Sequence, residues 1–125
     1  MLARENFDRW VFGDGFDEQG RLLRLQTLLA EKIDLVMKDH DINPTRLRRL
    51  RLAGSGDIKR FFDRVEDRRQ EFELARKKYQ TGRLVLQQLE PLSLEFEVGP
   101  FGQDSLFRKM LNKIESEAQA KKAGR

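Results

Sequence analysis

The chain has 125 residues, 38% of them hydrophobic and 37% charged, which suits one small domain that buries about two thirds of its unfolded surface. It contains no Cys, which excludes disulfides and thiolate metal sites. The formal net charge is only +4, yet residues 43–83 hold 13 Lys and Arg against 6 Asp and Glu, so a basic middle is available to nucleic acid or an acidic partner.

Apolar residues this sparse must lie on narrow stripes, which favours helices over a two-sided sheet. The opening M-L-A-R-E-N-F-D-R-W-V-F has no apolar run of signal-peptide length. No stretch approaches the ~20 apolar residues of a membrane span. The expectation is a soluble, cytoplasmic protein with no membrane contact.

Residues 3–12 suit a short helix, with Phe7, Trp10 and Val11 on one face. The run Gly13-Asp14-Gly15-Phe16-Asp17-Glu18-Gln19-Gly20 breaks it. Residues 1–18 are expected to form a loosely attached arm. From Arg21 the stripe Leu22, Leu25, Leu29, Ile33, Val36 and Met37 predicts a helix over 19–40.

Asn43 suits an N-cap, Pro44 the first helical position, and Ile42 with Leu47 a hydrophobic staple. This helix is expected to stop at Gly54, with Ser55 or Asp57 capping the next. Ile58, Phe61, Phe62, Val65, Phe72, Ala75 and Tyr79 then mark a long helix from about 57, meeting the 43–54 helix at a corner. Residues 84–89 read as helix or strand. Helix to about Leu89 is preferred, because Pro91 is a clean stop.

Leu92, Leu94, Phe96 and Val98 alternate with Ser93, Glu95 and Glu97, which predicts an extended segment at about 92–98. Gly99-Pro100-Phe101-Gly102 reads as a turn. Asp104 or Ser105 caps a last helix that turns Leu106, Phe107, Met110, Leu111 and Ile114 inward, with 117–125 a frayed tail.

Two blocks carry a resemblance. L-A-G-S-G-D-I-K-R-F-F-D-R-V-E, Leu52 to Glu66, and G-P-F-G-Q-D-S-L-F-R-K, Gly99 to Lys109, resemble blocks of an uncharacterised bacterial family with no assigned activity. The resemblance implies that the two glycine-containing turns and the helices after them belong to one unit. It supplies no functional residues. A slighter likeness links Ile42-Asn43-Pro44-Thr45-Arg46 to the L-T-x-x-Q helix start of Spy/CpxP-type helical chaperones. Asn stands for Thr and Arg for Gln, so only helix capping is shared.

Candidate sites read blandly for the most part. His40, between Asp39 and Asp41, reads as a C-terminal helix cation. Asp14, Asp17 and Glu18 miss the EF-hand spacing. Gly54-Ser55-Gly56-Asp57 lacks the Walker pattern, and Asp57 would repel a phosphate. Arg46, Arg48, Arg49, Arg51, Lys59, Arg60 and Arg64 are the stronger case, because residues 33–64 have the lengths of helix, turn and helix, and arginines near a helix start can reach phosphates or base edges. Against that, Asp57 and Asp63 share the helix, which is long and Phe-rich. Trp10 and Phe12, near the terminus, and Leu94 and Phe96, on the strand edge, are the expected contact residues.

The fold expected is mainly α: one domain of four or five helices packed around a Phe/Leu core. The function expected is a non-catalytic interaction or structural protein that binds a protein partner or itself. The alternative is a nucleic-acid-binding regulator using the basic segment. No catalytic, cofactor-binding or metal-ligating set is expected, no cofactor, and no small-molecule substrate.

Overall fold

Asn43 starts the longest element of the fold. Its Oδ1 accepts from the Arg46 N–H at 2.8 Å, capping a helix that opens on Pro44. The structure, a computed structural model, describes residues 4–79 and 89–123. It is mainly α: α1 is Arg4–Phe12, α2 Glu18–Asp39, α3 Pro44–Tyr79, α4 Glu90–Val98 and α5 Leu106–Ala123. The helix-or-strand question at 84–89 falls outside the described residues, except at Leu89, which is buried.

α3 runs unbroken through Gly54, Ser55 and Gly56, so the expected stop and corner are absent. Each interior glycine costs a helix about 1 kcal/mol relative to Ala. Close packing offsets that cost. Gly54 is buried against Leu29 of α2, and a Cβ built there would overlap both Leu29 methyls. A Cβ on Gly56 would come to 3.0 Å from a Leu106 methyl on α5. The glycines are contact points between helices, not caps.

Leu29 and Gly54 lie at comparable distances from the 40–43 turn. Further out, Leu22 of α2 faces Phe62 and Val65 of α3 across a shared cavity. α2 and α3 are therefore an antiparallel helical hairpin, not the steep crossing of a DNA-reading helix-turn-helix.

The 92–98 segment is helix α4, not an extended strand. Its sequence satisfies both periods, because apolar residues at every second position also form two i,i+4 pairs. Leu92 and Phe96 point inward, whereas Leu94 and Val98 point to solvent. Pro91 sits in the first turn, where its missing N–H costs nothing. A strand here would have had no partner for its backbone groups among the described residues.

The N-terminal arm is not loose. Phe7, Val11 and Phe12 of α1 are buried with Leu25, Phe61, Phe72 and Phe96 in one core. Phe7 packs on Phe72 with ring centroids 5.6 Å apart. Nor does helical structure end at residue 117, since α5 continues to Ala123.

Asp57 caps neither its own helix nor its neighbour in sequence. It is buried at 4% exposure. Its carboxylate accepts the Leu106 N–H at 2.7 Å and the Phe107 N–H at 2.8 Å, two of the unpaired donors that open α5. Ser105 Oγ accepts the Arg108 N–H at 3.0 Å. The two sequence blocks thus meet in space, with the first capping the helix of the second.

Candidate interaction surface

The seven basic residues of 46–64 do not form one face. Successive residues turn about 100° on a helix, so they are spread around α3. Four are already paired. Arg46 and Arg49 reach Glu117 of α5, at 3.8 and 3.0 Å. Lys59 pairs with Asp63 at 3.1 Å. Arg64 grips Glu95 of α4 with two bonds of 2.8 and 2.7 Å. Arg48, Arg51 and Arg60 are exposed with no ion pair among the described residues, and Arg60 lies about a third of a turn from Arg48.

The four expected contact residues divide evenly. Trp10 and Leu94 are exposed, at 55% and 54%. Phe12 and Phe96 are buried core residues, each about 4.9 Å from the other in ring centroid. His40 is the residue after α2, with Nε2 3.3 Å from Glu115 of α5. Asp17 caps α2, its Oδ1 accepting the Gly20 N–H at 2.7 Å, and Asp14 pairs with Arg9 at 2.9 Å.

Three concave regions are present among the described residues, one of about 330 Å³ beside the Arg64–Glu95 pair and two that hold apolar floors. The first of these two, about 300 Å³, is lined by Phe12, Arg21, Leu22, Phe62, Val65 and Arg69, with Glu18 and Glu66 at its edge. Its arginines are committed. Arg69 bonds Asp8 at 2.6 Å and also pairs with Glu66. Burial opposes the Arg69 charge, but the hydrogen bond and charge of Asp8, joined by Glu66, outweigh it and raise its pKa. Arg21 lies 3.6 Å from Asp8 and 4.3 Å above the Phe12 ring. Carboxylates here match or outnumber cations, so the region ties α1, α2 and α3 together without drawing an anion.

The second is a groove of about 440 Å³ between α3 and α5. Leu52, Ala53, Leu106 and Met110 line it, and Arg49, Lys109 and Lys113 rim it. Leu52 is 74% exposed. Leu106, which the spacing placed inward, is exposed, and Met110 is half-buried. At one end Glu117 is the acidic neighbour. The Arg49 hydrogen bond, then the charges of Arg49, Arg46 and Lys113, hold its carboxyl below the ordinary value despite some opposing desolvation. Cations outnumber carboxylates around this apolar floor.

Sequence reasoning missed the groove. The signal was Leu52, which the Gly54 stop assigned to the end of a short helix. In one continuous α3, Leu52 lies opposite the Leu50 and Phe61 stripe and must face outward.

Among the described residues, no helix is long and apolar enough to cross a membrane. No family model, curated protein or solved structure matches the chain.

Proposed function

We propose that the protein is a non-catalytic, cytoplasmic interaction protein that holds an acidic amphipathic helix in the α3–α5 groove. The observation that carries this reading is the groove itself: exposed Leu52 and Leu106 beside Met110, inside a rim of Arg49, Lys109 and Lys113. An apolar stripe would fill the floor and flanking carboxylates would meet the rim, as in other helix-in-groove recognition. Charge complementarity would select the partner and speed its arrival.

Nucleic-acid binding through Arg46–Arg64 draws less support. Four of its seven cations are engaged by carboxylates, and the rest do not share one face.

The test uses a fluorescein-labelled peptide with a Leu stripe flanked by Glu, its counterpart flanked by Lys, and a labelled DNA duplex. The Leu/Glu peptide should bind saturably, and Leu52→Asp should abolish binding without lowering the melting temperature appreciably. Equal binding of both peptides, or indifference to Leu52→Asp, would refute the groove reading. Tight duplex binding that weakens steeply between about 50 and 200 mM salt would put nucleic acid in its place.

A further inference from the structure

α4 presents a face that answers the groove. Leu92 and Phe96 are spent in the core, while Leu94 and Val98 stand exposed at 54% and 65%. Glu90 and Glu97 are also exposed. On an ideal helix these four residues fall within about 100° of arc, with Glu97 and Glu90 side by side along one edge of the Leu94 and Val98 pair. Arg24 lies beside this face, its Nη2 donating to the Glu97 backbone oxygen at 2.9 Å and its guanidinium 5.4 Å from the Phe96 ring. Glu95, to the side, is held by Arg64.

We infer that the groove's occupant is α4 of a second copy of this chain, so that copies join head to tail. This rests on the groove reading above and names its partner. Leu94 and Val98 would cover the floor made by Leu52, Leu106 and Met110. Glu90 and Glu97 would meet Lys109 and Lys113, since Arg49 is held by Glu117. Symmetric pairing is disfavoured at both surfaces. Groove against groove opposes the lysines of one rim with those of the other, and α4 against α4 opposes carboxylates with carboxylates. Only the unlike pairing satisfies both, and such a heterologous contact generates a ring or an open chain, not a closed two-fold dimer.

Only four α4 residues would enter the groove, whereas a stable interface of roughly 1,200–2,000 Å² engages about 20–30 residues a side. Association is therefore weak, and salt weakens it further because the rim charges are exposed.

Sedimentation velocity tests this with two variants, each checked by thermal melting for an intact fold. The groove variant carries Leu52→Asp and Lys109→Glu; the α4 variant carries Leu94→Asp and Val98→Ser. Wild type should sediment progressively faster across about 10 µM to 1 mM, the range of weak affinities. Each variant alone should remain monomeric. Mixed, they should form a one-to-one dimer and nothing larger, because one intact α4 meets one intact groove. A wild type that stays monomeric, or that stops at a dimer, overturns the inference. So does a mixture that fails to associate. If wild type is monomeric but still binds the Leu/Glu peptide, the groove reading survives and the self-pairing fails. If neither binds, both fail.

Discussion

The rings of Phe12 and Phe96 meet edge to face, with centroids 4.9 Å apart and planes at 85°. Both residues have the look of surface contacts in the sequence, one near a terminus and one on a presumed strand edge. Each is in fact part of the other's burial. Phe96→Lys is therefore expected to unfold the protein, since an unpaired buried charge costs several kcal/mol against a total of about 5–15. Leu94→Lys, two residues away but on the solvent face, should leave the unfolding free energy measured in urea within about 0.5 kcal/mol of wild type. Equal effects of the two substitutions would contradict the assignment of α4 as a helix.

Asp57 caps α5 through space. Asp57→Ala would leave the buried Phe107 N–H and the partly buried Leu106 N–H without an acceptor, and should cost about 2–3 kcal/mol in denaturant unfolding. Amide exchange at those two residues should accelerate ahead of the rest of α5. Asp57→Asn keeps one acceptor and should cost less. A loss under about 0.5 kcal/mol for Asp57→Ala would remove Asp57 from this role.

Gly54→Ala and Gly56→Ala separate packing from helix propensity. Propensity alone favours both, by about 1 kcal/mol each. At Gly54 the new methyl collides with buried Leu29, so a net loss of about 1–3 kcal/mol is expected. At Gly56 it meets only the end of the exposed Leu106 side chain, and stability should hold or rise. Leu29→Ala should cancel much of the Gly54→Ala penalty in a double-mutant cycle. Stabilisation by Gly54→Ala alone would contradict the close approach of α2 and α3.

Glu117 carries the pH dependence of the α3–α5 contact. Its folded carboxyl titrates below the ordinary value of 4.5, mainly through the Arg49 hydrogen bond. Its contribution to stability is therefore complete above that ordinary value and is lost as pH falls through the lowered one. Carboxyl carbon NMR should show the depressed midpoint, and Arg49→Met should raise it. An unchanged midpoint in Arg49→Met would break the link.

Helix starts were the most legible part of the fold. Asn43-Pro44 and Ser105 each announce a cap locally, and each caps as its sequence suggests. What failed was the reading of residues whose role is set by distant chain. Gly54 looks like a stop because glycine ends many helices, but Leu29 from α2 makes it a contact. Asp57 looks like a local cap, although the donors it satisfies come from α5. The alternation at 92–98 fits strand and helix alike, and among the described residues no strand is there to pair with it. The groove shared this fate: Leu52 becomes visible as a surface residue only when α3 is known to be continuous, and its companions come from α5. Arg46 and Arg49 looked free for a ligand for the same reason, since Glu117 lies far along the chain.

The most direct measurement is a dilution series of amide NMR spectra of the wild-type chain at low salt. Two separate patches should shift together with concentration: Leu52, Ala53, Leu106 and Met110 of the groove, and Leu94, Glu97 and Val98 of α4. Both sets of shifts should disappear together in high salt. Spectra independent of concentration, or shifts confined to one patch, would contradict the head-to-tail pairing.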